Sequence, residues 1–154
     1  MLTSEISNKN KILYIIDRAI NSHSYRLVDR LQIVKLLYMF DVYIKEKIGE
    51  RFTDYNFEKW RLGPFSWDII HDVENLKENG SLANPDNYYQ YTLLELPTNF
   101  EEIKDQINSF IKKHDLEKNI DALFEIGKDT NTILSLVENR KEVKKAGFGE
   151  KINF

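Results

Sequence analysis

The chain has 154 residues, with 22 Lys and Arg against 25 Asp and Glu and a net charge of −3. That length suits one domain spanning 1–154, and 42% hydrophobic with 31% charged residues is ordinary for a globular protein. The absence of cysteine excludes disulfides, thiolate metal sites and a thiol nucleophile. No apolar run approaches the roughly 20 residues that span a bilayer, and with no export signal in MLTSEISNKNK the chain reads as cytoplasmic.

The first helix is expected over Asn8 to Asn21, where Ile12, Leu13, Ile16, Ala19 and Ile20 recur at helical spacing. A second opens at Asp29, which with Gln32 makes a capping box, and runs to Gly49. Its apolar face carries one carboxylate, Asp41, expected to bond to a neighbouring backbone group or tyrosine. Residues Tyr55 to Leu62 alternate as a strand, with Tyr55, Phe57, Lys59 and Arg61 on one face and Asn56, Glu58, Trp60 and Leu62 on the other. Gly63 permits a sharp corner and Pro64 fits the first turn of a helix that starts near Ser66 and stops at Asn79-Gly80. Trp60 is expected to be a largely buried anchor of that corner.

Ser81–Asn84 and Tyr88–Leu96 then pair as a hairpin around Pro85-Asp86-Asn87, a candidate wing. The small antiparallel sheet is expected to join this hairpin to the Tyr55 strand. Residues 97–146 read as C-terminal helices: one from a Thr98/Glu101 capping box, one over Asp115–Ile126 with Gly127 as its stop, and one capped by Asp129 or Thr130. The Gly147-Phe148-Gly149 tail reads as loosely structured. The fold class is therefore α+β, mainly α: a winged-helix-like core with a small antiparallel sheet and a helical extension.

Catalytic and metal chemistry leave no trace in the sequence. His23, His71 and His114 lack metal-type spacing, no Gly-rich phosphate loop is present, and no nucleophile stands in an elbow context. We therefore expect no enzyme activity, no cofactor and no metal. Aromatic density is the stronger signal. Tyr88, Tyr89 and Tyr91 lie within four residues, with Tyr89 and Tyr91 assigned to one strand face, and tyrosines are enriched at protein interfaces.

Arg30-Leu31-Gln32-Ile33-Val34-Lys35-Leu36-Leu37-Tyr38, with Asp41 beyond it, resembles the leucine-rich helix of the Panacea (SocA-like) antitoxin domain. Lys59-Trp60, Gly63-Pro64-Phe65-Ser66, Leu76 and Gly80 resemble the corner and exit of that domain, and YwgA-like proteins share a similar corner. These motifs cover residues 28–96; an Ile-Val pair stands before Lys35 where the family motif has its Lys directly after Gln. The resemblance implies a non-catalytic protein that binds and neutralises a co-encoded toxin, in some members by handing it to a protease.

Two functions follow. One is an antitoxin-like protein binder whose contact residues are Lys59, Trp60, Arg61, Tyr88, Tyr89 and Tyr91, with Gly63, Pro64, Phe65 and Ser66 as its structural motif. The other is a winged-helix DNA-binding regulator reading the major groove with Ser66, Trp67, Ile70, His71 and Lys77. Net charge argues against the second. Residues 1–72 hold 11 basic against 10 acidic groups and residues 73–154 hold 11 against 15, so a basic face would need Arg26, Arg30, Lys59 and Arg61 to converge.

Overall fold

The computed structural model describes residues 5–154, which are mainly helical. Helix α1 (Asn8–His23) is followed by a two-residue strand, β1 (Val28–Asp29), and by the central helix α2 (Arg30–Ile48). A hairpin of β2 (Glu58–Trp60) and β3 (Gly63–Phe65) leads into α3 (Trp67–Glu78). Strands β4 (Leu82–Ala83) and β5 (Gln90–Leu93) come next, then α4 (Phe100–Lys113), α5 (Glu117–Gly127), α6 (Thr130–Glu138) and α7 (Lys141–Lys145).

Helix α2 is the axis of the molecule because nearly all of its circumference is apolar. From Ile33 to Phe40 every residue is buried, Lys35 included. Helices α1, α5 and α6 pack around it. Its capping box forms as expected: Asp29 accepts from the Gln32 backbone N–H at 2.7 Å and Gln32 Oε1 accepts from the Asp29 N–H at 2.9 Å. The same Gln32 amide donates to the Gly127 carbonyl at 2.9 Å, tying the start of α2 to the end of α5. Gly127 serves close approach there: a Cβ at this position would stand 2.7 Å from the Tyr25 hydroxyl and 3.0 Å from a Leu36 methyl. Buried apolar side chains from Ile6 to Ile152 form one connected cluster.

Two small sheets replace the single one expected. Strand β5 pairs with β1 on one side and β4 on the other, all antiparallel, with Val28 opposite Tyr91 and Leu82 opposite Leu93. The β2–β3 hairpin stands apart from it, with Trp60 opposite Gly63. The strand predicted over Tyr55–Leu62 is thus three residues long, and Arg61 and Leu62 form its exposed turn. Pro64 lies in β3 and not in a helical first turn; it is tolerated where its missing N–H leaves no ladder bond unmade. Ser66 occupies the N-cap position of α3 without a side-chain capping bond, and Asn99, not Thr98, is the N-cap residue of α4.

The corner itself is held from below. Lys35 sends its ammonium from the middle of α2 to the Pro64 carbonyl, so the leucine-rich helix and the Gly-Pro corner are in direct contact. Gly63 has φ +86°, and a Cβ there would meet Glu138 and Val137 side chains at 3.4 and 3.5 Å. Gly63→Val is expected to cost about 2 kcal/mol, because a β-branched side chain is forced into the left-handed region. Equilibrium urea unfolding measures this, and an unchanged midpoint would refute the structural role of the corner.

The tail is ordered rather than loose. It runs along the free edge of β2, with the Lys59 N–H donating to the Glu150 carbonyl at 2.9 Å, Gly149 N–H to the Lys59 carbonyl at 2.7 Å and Ile152 N–H to the Phe57 carbonyl at 2.8 Å. Trp60 is mostly covered, as expected, its ring meeting Phe148 edge-on at 5.1 Å between centroids. Phe154 packs its ring at 5.1 Å from Tyr38.

Two buried lysines give the fold a pH dependence. Lys11 is 1% and Lys35 0% exposed, and burial brings both ammonium groups down from 10.5 to about 8. Between these values the unfolded chain binds more protons than the folded one, so stability rises with pH across that window, by roughly 3 kcal/mol for Lys35 and by less for Lys11, whose ammonium is more screened and faces Asp41 and Asp54. Above about pH 10 the sign reverses, because burial raises the Tyr38 and Tyr55 hydroxyls and the folded state then holds the extra protons. Thermal melts are expected to peak between about pH 9 and 10. Lys35→Met should flatten the rise, and a maximum near neutrality would contradict it.

Candidate functional site

The first residue of α2 organises the exposed aromatic residues. Register places Asp29 opposite Gln90, and the Arg30 N–H donates to the Tyr89 carbonyl at 3.1 Å, so the β4–β5 connection arches over the start of α2. Arg30 Nε donates to the Tyr91 hydroxyl at 2.8 Å and Nη2 to Glu74 Oε1 of α3 at 2.5 Å. The Tyr91 hydroxyl donates to the same Glu74 oxygen at 2.9 Å, which closes a three-membered network across two helices and a strand. The guanidinium lies 4.7 Å from the Tyr88 ring centre and 5.1 Å from that of Tyr89, and those rings meet edge-on. Lys77 adds a second cation over Tyr88 at 4.8 Å.

Electrostatics fix the network in one state. Burial opposes the charge on Arg30, but the Tyr91 and Tyr88 hydroxyls and Glu74 outweigh it and hold the guanidinium firmly protonated. Burial pushes the Tyr91 hydroxyl up to about 12, so it stays a donor at any physiological pH.

Beside this network runs a groove enclosing about 560 Å³, walled by Arg30 and Leu31, by Phe65, Trp67 and Ile70, and by Tyr89. Trp67 is 59% exposed, Tyr88 52% and Tyr89 61%. Phe65 braces Trp67 edge-on at 5.0 Å. The site thus offers large aromatic surface on side chains already held by neighbours, with one pre-oriented guanidinium.

The predicted contact residues divide between two places. Tyr89 lines the groove and Tyr88 lies next to it against Tyr89 and Arg30, whereas Tyr91 is fully buried. Lys59 and Trp60 sit on the separate β2–β3 hairpin under the tail, Lys59 Nζ donating to the Ala146 carbonyl at 3.1 Å, and Arg61 is exposed in the turn. Of the residues considered for reading DNA, Ser66 and Ile70 are buried, Trp67 and His71 are exposed, and Lys77 lies over Tyr88. Arg26 and Arg30 do not join a free basic face, since they pair with Asp86 and Glu74.

Sequence reasoning missed Arg30, Glu74 and Trp67 as parts of the aromatic groove and the network beside it. Arg30 and Glu74 lie 44 positions apart, and only the unpredicted β1–β5 pairing brings the tyrosines to them. Trp67 had a signal, a large aromatic at the solvent edge of a helix start, but it was weighed only against DNA.

The sequence pattern of the family described as Antitoxin SocA-like, Panacea domain, matches residues 33–143. The chain belongs to that family. The match covers more than half of the molecule and runs from α2 through the first residues of α7, so the Panacea region includes the C-terminal helices as well as the Gly-Pro corner. No curated protein matches the chain. Within the Panacea region, Lys35 and Pro64 form the contact between the two motifs, and Trp67 and Tyr89 form the exposed walls of the groove. Among the described residues, no helix is long and apolar enough to cross a membrane.

Proposed function

We propose that this chain is a non-catalytic, cytoplasmic antitoxin-like protein that binds a co-encoded toxin through the aromatic groove at the start of α2, without cofactor or metal. The observation that carries this reading is the half or greater exposure of Trp67, Tyr88 and Tyr89 on side chains already braced by Phe65 and Arg30. Tryptophan, tyrosine and arginine dominate binding hot spots, and pre-held rings lose little entropy when a partner covers them. Membership of the antitoxin-like family supports a toxin as the partner. Lys59, Trp60 and Arg61 are secondary in this reading, because the first two already serve the tail.

The test is a calorimetric titration of the purified chain with the product of the adjacent small reading frame. Trp67→Ala with Tyr89→Ala is expected to weaken binding about 30-fold or more, equivalent to roughly 2 kcal/mol, with the melting temperature little changed. Undiminished affinity in that variant would move the interface elsewhere.

DNA reading by α3 has less support. The order α1–β1–α2, then α3 and the β4–β5 hairpin, fits a winged-helix-like arrangement. Two of its candidate reading residues are buried, however, and the helix carries Asp68, Asp72 and Glu74, which repel phosphate.

A further inference from the structure

The second half of the sequence sums to an acidic charge, yet four of its eleven basic residues are gathered at one place. Arg140, Lys141 and Lys145 from the start of α7 onward, and Lys151 in the tail, meet Lys45 in the last turn of α2 around a cleft of about 450 Å³. Three carboxylates share the lining, but each already has work to do. Glu142 accepts from Arg140 Nε at 2.5 Å and from the Tyr38 hydroxyl at 2.8 Å, Glu46 lies 3.6 Å from Arg140, and Glu150 accepts from the Gly147 N–H at 3.3 Å. Lys141, Lys145 and Lys151 form no ion pair among the described residues, and Lys45 bonds only to the Gly49 carbonyl, at 3.1 Å. The cleft therefore gathers five cations and three carboxylates, with Arg140 paired to two of the carboxylates and four lysines outside any ion pair among the described residues, while the rest of the chain holds 17 basic groups against 22 acidic ones.

We infer that this cleft is a docking site for an acidic polypeptide segment carrying interspersed apolar side chains, distinct from the aromatic groove. The lysine rim supplies charge complementarity for carboxylates and steers their approach. Val42, Ala146 and Phe154 give the cleft an apolar floor that a purely ionic ligand would leave unused. A nucleic acid fits less well, because an unbroken line of phosphates would run past Glu46, Glu142 and Glu150. Lys45 and Arg30 are separated by fifteen residues of α2, or about 22 Å along its axis, so both surfaces can be occupied together.

The probe is a fluorescein-labelled peptide of about twelve residues alternating glutamate and leucine, titrated into the full chain by anisotropy at low and moderate salt. Expected is saturable binding that weakens at least tenfold in Lys141→Glu with Lys145→Glu and weakens with added salt. It should stay within twofold of the parent in Trp67→Ala, and a glutamate–serine peptide should bind several-fold more weakly. The exposed lysines bear on no core contact, and matching thermal melts check this; Lys145→Gln, a milder change, should give an intermediate loss. Affinity unaffected by the charge reversals overturns the assignment. So does tighter binding of a single-stranded oligonucleotide of equal charge that the same reversals abolish, which would make the cleft a nucleic-acid site.

Discussion

Asp41→Ala is expected to destabilise the protein by about 3–5 kcal/mol, a large part of the stability of a domain this size. The Asp41 carboxylate is completely buried in α2 and serves three groups. It accepts from Arg51 Nη2 at 2.5 Å, from the Thr53 backbone N–H at 2.6 Å and from the Thr53 hydroxyl at 2.6 Å. Arg51 in turn donates to the Tyr55 carbonyl and lies over the Phe154 ring at 4.8 Å. Removing the carboxylate strands a half-buried guanidinium and a buried N–H together, so the segment entering the β2–β3 hairpin loses its anchor. Urea denaturation reads the loss, and Asp41→Asn, which keeps one acceptor oxygen, should fall between the two. A shift below about 1 kcal/mol for the alanine variant would show that the network is dispensable.

Phe124→Ala is expected to cost a similar 3–5 kcal/mol. Phe124 of α5 is fully buried and stands at a crossing of aromatic contacts: His23 stacks on it at 4.8 Å, Phe40 meets it edge-on at 5.9 Å and Tyr25 at 6.4 Å. Its carbonyl also takes the Tyr25 hydroxyl at 2.5 Å. Truncation would open a cavity between α1, α2 and α5 that three rings with fixed partners cannot close. The contrast with Trp67→Ala is diagnostic. That ring is larger but mostly in solvent, so its removal should change stability by less than about 0.5 kcal/mol.

What could be read from the sequence was local. The α2 capping box depends on residues three apart, and the core stripes of the helices follow from their own periodicity, so both emerged as expected. Gly63 was legible as a corner for the same reason. Strand partners were not, because a two-residue strand such as β1 contains no alternation to detect. The tyrosines show the same limit. Counting parity put Tyr89 and Tyr91 on one face, but β5 begins at Gln90, so Tyr89 belongs to the turn before it, where parity has no meaning. One therefore lies in solvent and the other under Arg30. The groove needed that placement, and the basic cleft was concealed because a charge sum over 82 residues averages away a cluster assembled in space.

The strand-like docking of the tail bears on the order in which the molecule folds. Its contact with Lys59 joins residues 87 or more positions apart, among the longest chain closures in the fold, whereas the β2–β3 hairpin closes across two residues. Loop entropy therefore delays the tail until the helices have brought both ends together. Until then one side of β2 is an open strand edge, with unpaired amide and carbonyl groups next to a tryptophan. Folding intermediates of this protein should thus be most prone to self-association along β2. In the native state the same segment should be the first to release its amide protons to exchange, well before the global unfolding that exposes α2.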